Sequence, residues 1–394
     1  MSDRNAAKPR LPLGALVALT TAAFITVLTE ALPAGVLPAM SASLRVSESA
    51  TGQLVTIYAL GTAVSAIPLT AATAGWRRKR LLLAGVAGFA VANTVTALSA
   101  SFPLTLVARF VAGLAAGVVW ALLAGYARRL APERLPGKAM AIVMAGIPLA
   151  LALGVPAGTF LGGALGWQVT FSAMSALALV LLAWIAALVP DFAGPGRGGR
   201  VPLVRTLRIP GVAPVLAVTL VFVLAHTILY TYVATFLASL GMGGSIDVVL
   251  VIFGGCSLLS IWLVGARIDR GLRMLTLAGT VLVAVAVVIL AALSGSPGLV
   301  YLAVALWGLG WGGVPTLLQT AVGDAASHTA GDTAQAMLVT LWNLGIAGGG
   351  VAGGLLLDGL GAASFPWSVL VLLLPALVVV TAARAHGFPA ERAA

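Results

Sequence analysis

TEALPAGVLPAM, residues Thr29–Met40, closes the first apolar stretch of the chain, which begins near Leu11. Glu30 stands about two-thirds of the way along it. An unpaired charge at membrane depth costs several kcal/mol, so an acid kept there is a candidate for handling a proton, an ion or a substrate. The alternative is a buried acid that only hydrogen-bonds a neighbouring helix, a task that Asn or Gln would perform at lower cost.

Outside this stretch the composition is of one kind: 60% hydrophobic and 8% charged residues over 394 positions, with a mean hydropathy of +1.10. Soluble domains carry about a quarter charged residues, so the chain reads as a polytopic membrane protein. Taking about 20 apolar residues per crossing, twelve spans are expected, at 11–39, 50–73, 80–100, 102–128, 138–163, 166–190, 210–238, 245–266, 274–294, 297–322, 333–357 and 364–385. The first is too long for the core of a cleavable signal and reads as a span. Cys256 is the one cysteine, so disulfides play no part.

The net charge of +11 could suggest an anionic partner, but the position of each charge says otherwise. With the N-terminus placed in the cytoplasm, 20 of the 22 Lys and Arg residues fall in cytoplasmic loops, the linker or the tails; only Arg45 faces outward and Arg109 lies within a span. That bias places both termini in the cytoplasm and leaves no call for nucleic acid. A Gly-, Pro- and Arg-rich stretch at 191–209 separates residues 1–190 from 210–394, giving two expected six-helix bundles. A shift of 196 residues overlays them, with Glu30 falling on His226 and Gly154 on Gly350. Such duplication marks transporters that bind their substrate between the halves near mid-membrane.

Arg109 lies at a depth comparable with Glu30, because span 4 runs opposite to span 1. Either the two form a static ion pair, or moving helices alter the pairing and switch Glu30 between holding and releasing a proton. Gly113 and Gly117 follow Arg109 on one face and clear room for a neighbour; Trp120, a turn further on, faces either the cavity or lipid. His226 shares a stripe with Thr219 and Tyr230 and is read either as a proton relay or as a satisfied core residue. Tyr58, Gln319 and Asn343 are candidate cavity residues, and Trp307, Trp311 and Trp342 could stack on a flat substrate. Gly146, Ala150, Gly154, Gly158 and Gly162 recur every four residues in span 5, a stripe for close helix approach. Pro148 and Pro156 should kink that span, and the stripe is read as the surface on which the halves rock. GARIDRGLR, Gly265–Arg273, offers Asp269 and Arg270 for ion pairing at a helix end.

Three motifs, TEALPAGVLP at 29–38, GVPAGTFLGGALGWQVTF at 154–171 and GARIDRGLR at 265–273, resemble the major facilitator superfamily, with Arg109, Gly113 and Gly117 similar to its span-4 motif. The likeness covers essentially the whole chain. Within the superfamily it falls among the twelve-span drug:proton antiporters, on the branch of bacterial chloramphenicol-resistance and sugar-efflux proteins. It implies an all-α fold of two pseudo-symmetric bundles, a monomer, proton coupling through Glu30 and Arg109, and export favoured by Gly154–Gly163. Two positions depart from the family pattern: Ala72 stands where the first cytoplasmic loop usually holds an Asp, and Gln168 where many relatives have Arg. No phosphate loop, metal cluster or catalytic triad is present in the sequence, so no cofactor is expected and an ATP-driven pump or hydrolase is disfavoured.

The expectation is a proton-coupled exporter of a small organic molecule (a drug, sugar or metabolite) in a bacterial cytoplasmic membrane, partnered by protons, substrate and the bilayer. Proton symport for uptake and a non-transporting membrane scaffold or receptor are the alternatives.

Overall fold

The computed structural model describes residues 11–66, 73, 75–132, 135–193 and 202–389; the side chains of residues 66, 124, 136–138, 269, 270, 327–329 and 332 lie outside that description. Among the described residues every regular element is a helix. Eleven are long and apolar enough to cross a membrane. We label them with one further helix in chain order: α1 Leu13–Leu44, α2 Glu48–Ala66, α3 Arg78–Leu98, α4 Phe102–Leu130, α5 Ala139–Leu165, α6 Trp167–Leu188, α7 Val212–Thr231, α8 Gly243–Ile268, α9 Gly271–Ala292, α10 Pro297–Ala326, α11 Thr333–Leu360 and α12 Ser364–Ala382.

The further helix is α2. Glu48, Ser49, Thr51 and Gln53 make its first turns too polar to count by composition, and the remainder of the expected span, 67–72, lies outside the described residues. It nevertheless packs as a span. A Cβ on its Gly61 would meet the Phe110 carbonyl of α4 at 2.6 Å, and its Thr56 sits against Gly350 of α11.

Proline sets the irregularities. In α1, Pro33 and Pro38 each remove an N–H donor, and the helix departs from helical geometry at Val36 (φ −117°, ψ 15°). In α5 Pro148 cannot donate to the Met144 carbonyl, and the helix then passes through a π-helical turn, Ala150–Gly154, where the Val155 N–H reaches the Ala150 carbonyl. Pro156 has no N–H to offer the Ala152 carbonyl, which favours this longer reach. α8 and α9 are continuous except at Gly271, and Tyr232 separates α7 from a short continuation, Val233–Ser239.

Gly14 meets Leu188, and Gly211 meets the His386 carbonyl, so the start of α1, the end of α6, the start of α7 and the C-terminal segment share one end of the bundle. We call it the terminal end and the opposite one the distal end. The buried apolar residues divide accordingly. One cluster belongs to the first half and runs from Ala15–Ile25 of α1 through Leu81–Ala92 of α3 to Ile185 of α6. The other joins the second half to distal parts of the first, including Leu28–Leu44 of α1, Leu54–Ala59 of α2 and Trp167–Met174 of α6. The halves therefore share a core at the distal end, whereas the terminal part of the first half keeps its own.

Candidate functional site

Arg109 is fully buried at the crossing of α1, α2 and α4. Its guanidinium donates from Nη1 to the Thr29 carbonyl at 2.6 Å, from Nη2 to the Glu30 carbonyl at 3.4 Å and from Nε to the Leu54 carbonyl at 3.2 Å. Sequence explains the first of these. Residue 33 would normally close the helical bond to the Thr29 carbonyl; because it is Pro, that oxygen has no helical partner, and Arg109 supplies the donor. Thr29 is held on its other side by Asn93, whose Nδ2 donates to its hydroxyl at 3.2 Å.

Tyr58 lies beneath the guanidinium, 4.8 Å from its centre, and donates its hydroxyl to the Thr26 carbonyl at 3.0 Å. It is 0% exposed. Its expected place on a cavity wall is thus corrected: the ring supports Arg109 from below.

Glu30 is only partly buried. Among the described residues its carboxylate makes no ion pair and accepts no hydrogen bond, although Arg109, Tyr58 and Tyr230 lie within electrostatic reach. The static Glu30–Arg109 ion pair is therefore not formed, since the arginine spends its donors on main-chain oxygens. Tyr230 belongs to α7, so the acid lies within electrostatic reach of the second half.

His226, one turn before Tyr230, is buried in an aromatic cluster. It stacks on Trp311 with centroids 3.5 Å apart and planes 5° from parallel, and Tyr230, Trp307 and Phe253 surround it at 5.1, 5.3 and 5.9 Å. Trp307 Nε1 donates to His226 Nδ1 at 3.1 Å. An accepting Nδ1 carries no proton, so the imidazole is in its Nε2–H form. Trp342 joins through Trp311 at 5.6 Å. Asn343 is buried and donates to Val339 within its own helix, Gln319 is exposed, and Trp120 packs against the separate first-half core. Of the expected substrate residues, Tyr230, Trp307, Trp311 and Trp342 are brought together through the His226 cluster.

The glycine stripe of α5 also requires correction. A Cβ on Gly146 would strike the Thr20 carbonyl at 2.2 Å, on Gly154 the Phe24 ring at 2.8 Å, on Gly158 Leu32 at 2.7 Å and on Gly162 Val36 at 2.7 Å. All four partners are on α1, so the stripe seals two helices of the same half. Contact between halves uses other residues: Gly254 of α8 approaches the Ala152 Cα of α5, where a Cβ would lie at 2.4 Å, and Gly350 of α11 approaches Thr56 of α2. Ala152 lies in the π-helical turn that Pro156 favours.

Sequence reading missed a polar cluster joining the halves at the distal end. Tyr232, fully buried, donates its hydroxyl to the Gly350 carbonyl at 2.9 Å; Gln53 Nε2 donates to the same carbonyl at 3.3 Å and to the Tyr232 hydroxyl at 3.4 Å. Thr235 donates to Glu48, closing α2 onto the continuation of α7. At the terminal end Arg77 pairs with Asp191, whose other oxygen accepts the Lys79 N–H at 3.2 Å. Desolvation, the largest single influence, pushes the Asp191 carboxyl up, but the Arg77 hydrogen bond, the Lys79 N–H, the Arg77 charge and the Phe192 N–H together outweigh it and hold the carboxyl below its ordinary value. Residue 72 and the side chains of Asp269 and Arg270 lie outside the described residues.

The Major Facilitator Superfamily matches residues 19–349. The chain belongs to that family, and is a multi-pass membrane transporter rather than an enzyme. It is 27% identical over 359 residues to a probable sugar efflux transporter of Mannheimia succiniciproducens, covering 91% of this chain and 90% of that one. It is 32% identical to a chloramphenicol efflux pump of Mycobacterium tuberculosis, covering 87% and 86%. It is also 28% identical to a Pseudomonas aeruginosa protein named transcription regulatory protein OpdE, covering 94% and 93%.

Proposed function

We propose that this protein exports a small organic molecule across a bacterial cytoplasmic membrane in exchange for protons, by alternating access between bundles 1–190 and 210–394 joined by the segment 191–209. The observation that carries the reading is the Glu30 carboxylate: set deep in a span, without a hydrogen-bond or ion-pair partner among the described residues, and within electrostatic reach of Tyr230 of the other half. An acid so placed can take up a proton without breaking a bond, and a neighbouring cation makes its charged form tolerable. With basic loops on the cytoplasmic side, the terminal end faces the cytoplasm, the distal cluster closes the outer side, and the site opens inward. A ligand or proton moves the equilibrium only by binding one state better than the other. The names of two relatives support a sugar or a chloramphenicol-like amphiphile as cargo.

The test is proton release from detergent-purified protein on adding sugars or chloramphenicol, wild type beside Glu30→Gln. Release by the wild type that disappears in a folded mutant supports exchange at Glu30. Ligand binding with equal release in both makes Glu30 structural and moves the coupling site elsewhere.

A further inference from the structure

Away from the Glu30 region, a cavity of about 130 Å³ opens at the terminal end of the first half, lined by Arg78, Ala121, Leu122, Gly125, Tyr126, Arg129 and Phe192. It is far larger than the ~10–15 Å³ that one water needs. Two guanidinium groups share this space and lie within electrostatic reach of each other. Arg129 stands over the Phe192 ring at 5.6 Å and gives one Nη1 hydrogen bond to the Ala193 carbonyl, leaving further donors. The nearby acid, Asp191, has both oxygens engaged by Arg77 and the Lys79 N–H.

Tyr126 adds an independent sign. It is only 2% exposed, yet its hydroxyl has no hydrogen-bond partner among the described residues. A buried polar group left without a partner costs about 1–3 kcal/mol. A ligand oxygen in the cavity would satisfy it.

We propose that this cavity takes a phosphate group. Guanidinium groups match phosphate oxygens in paired, charge-assisted bonds, and the tyrosine hydroxyl supplies a third donor. Ala121, Leu122 and Phe192 give the cavity an apolar wall, and basic pockets between spans on the cytoplasmic side bind anionic lipid headgroups. The phosphate comes either from such a lipid or from a soluble phosphate compound. This inference does not depend on the transport reading.

The experiment uses the full chain in two arms: nanodiscs of phosphatidylcholine with and without phosphatidylglycerol, read by melting temperature and by lipid retained in native mass spectrometry, and neutral detergent titrated with inorganic phosphate. Tyr126→Phe and Arg129→Gln are run beside wild type. A melting rise with phosphatidylglycerol alone assigns a lipid, with inorganic phosphate alone a soluble ligand, and with both a site that reads the phosphate itself. Either variant should weaken the effect about tenfold, while Tyr126→Phe melts like wild type in plain phosphatidylcholine. No rise in either arm, or an equal rise in both variants, overturns the proposal.

Discussion

Arg109 donates to the main-chain oxygen of Thr29, and Pro33 is the reason that oxygen is free. A helix break in α1 thus creates the acceptor that a cation on α4 fills, and the same bond keeps the guanidinium off the adjacent Glu30 carboxylate.

Arg109→Ala leaves the Thr29 oxygen buried without a donor and opens a cavity above Tyr58. The expected loss is about 2–5 kcal/mol, read as a lower melting temperature and folded yield. Arg109→Lys recovers only part of it, because one ammonium cannot span carbonyls on both α1 and α2 as the planar fork does. Full recovery by Lys would show that charge alone matters.

Tyr232→Phe removes the hydroxyl that bonds Gly350 across the halves. A bond of this kind contributes about 1 kcal/mol, so the distal end should open about fivefold more often. Spin labels at the exposed Ser43 and Ala238, in a Cys256→Ser background, report it as a broadened distance distribution. An unchanged distribution would reduce Tyr232 to a packing residue.

Gly254→Ala places a carbon 2.4 Å from the Ala152 Cα, where only backbone movement can relieve it. Overpacking of this kind costs about 1–3 kcal/mol. Its neighbour Gly255 has nothing within 4 Å of an added Cβ, so Gly255→Ala should melt at or above wild type. Equal melting of the two variants would count against a close contact at Gly254.

Asp191 is the group whose pH dependence can be signed. Its carboxyl is held low in the folded chain, so it adds stability above its unfolded value and loses that contribution as pH falls through the folded one. Asp191→Asn should therefore melt slightly below wild type at neutral pH, and the difference should vanish in the acid range below pH ~4. A difference that persists there would point to a packing effect of the substitution.

The fold and the depth of Glu30, Arg109 and His226 were legible because a charge within an apolar run stands out in one dimension. The close packing of the α5 glycines was legible for the same reason: periodicity names a face. It does not name the partner, and the partner proved to be α1. Tyr58 and Tyr232 look alike in sequence, two tyrosines in apolar helices, yet one supports an arginine and the other bridges the halves. Gln53 and Glu48 gave no signal in the sequence, because their partners lie well over a hundred residues away. Asp191 looked like the first residue of a linker, although two main-chain N–H groups and an arginine hold its carboxylate.

Gly254 against the Ala152 backbone and Gly350 against the Thr56 side chain are two points at which a glycine lets the halves touch with no side chain of its own between. Two fixed points define a line, and a rigid rotation that keeps both must turn about it, as a door turns on two pins. Such a body has one degree of freedom. Under the proposed alternating access, parting on one side of that line would be the same movement as closing on the other, with no separate signal between two gates.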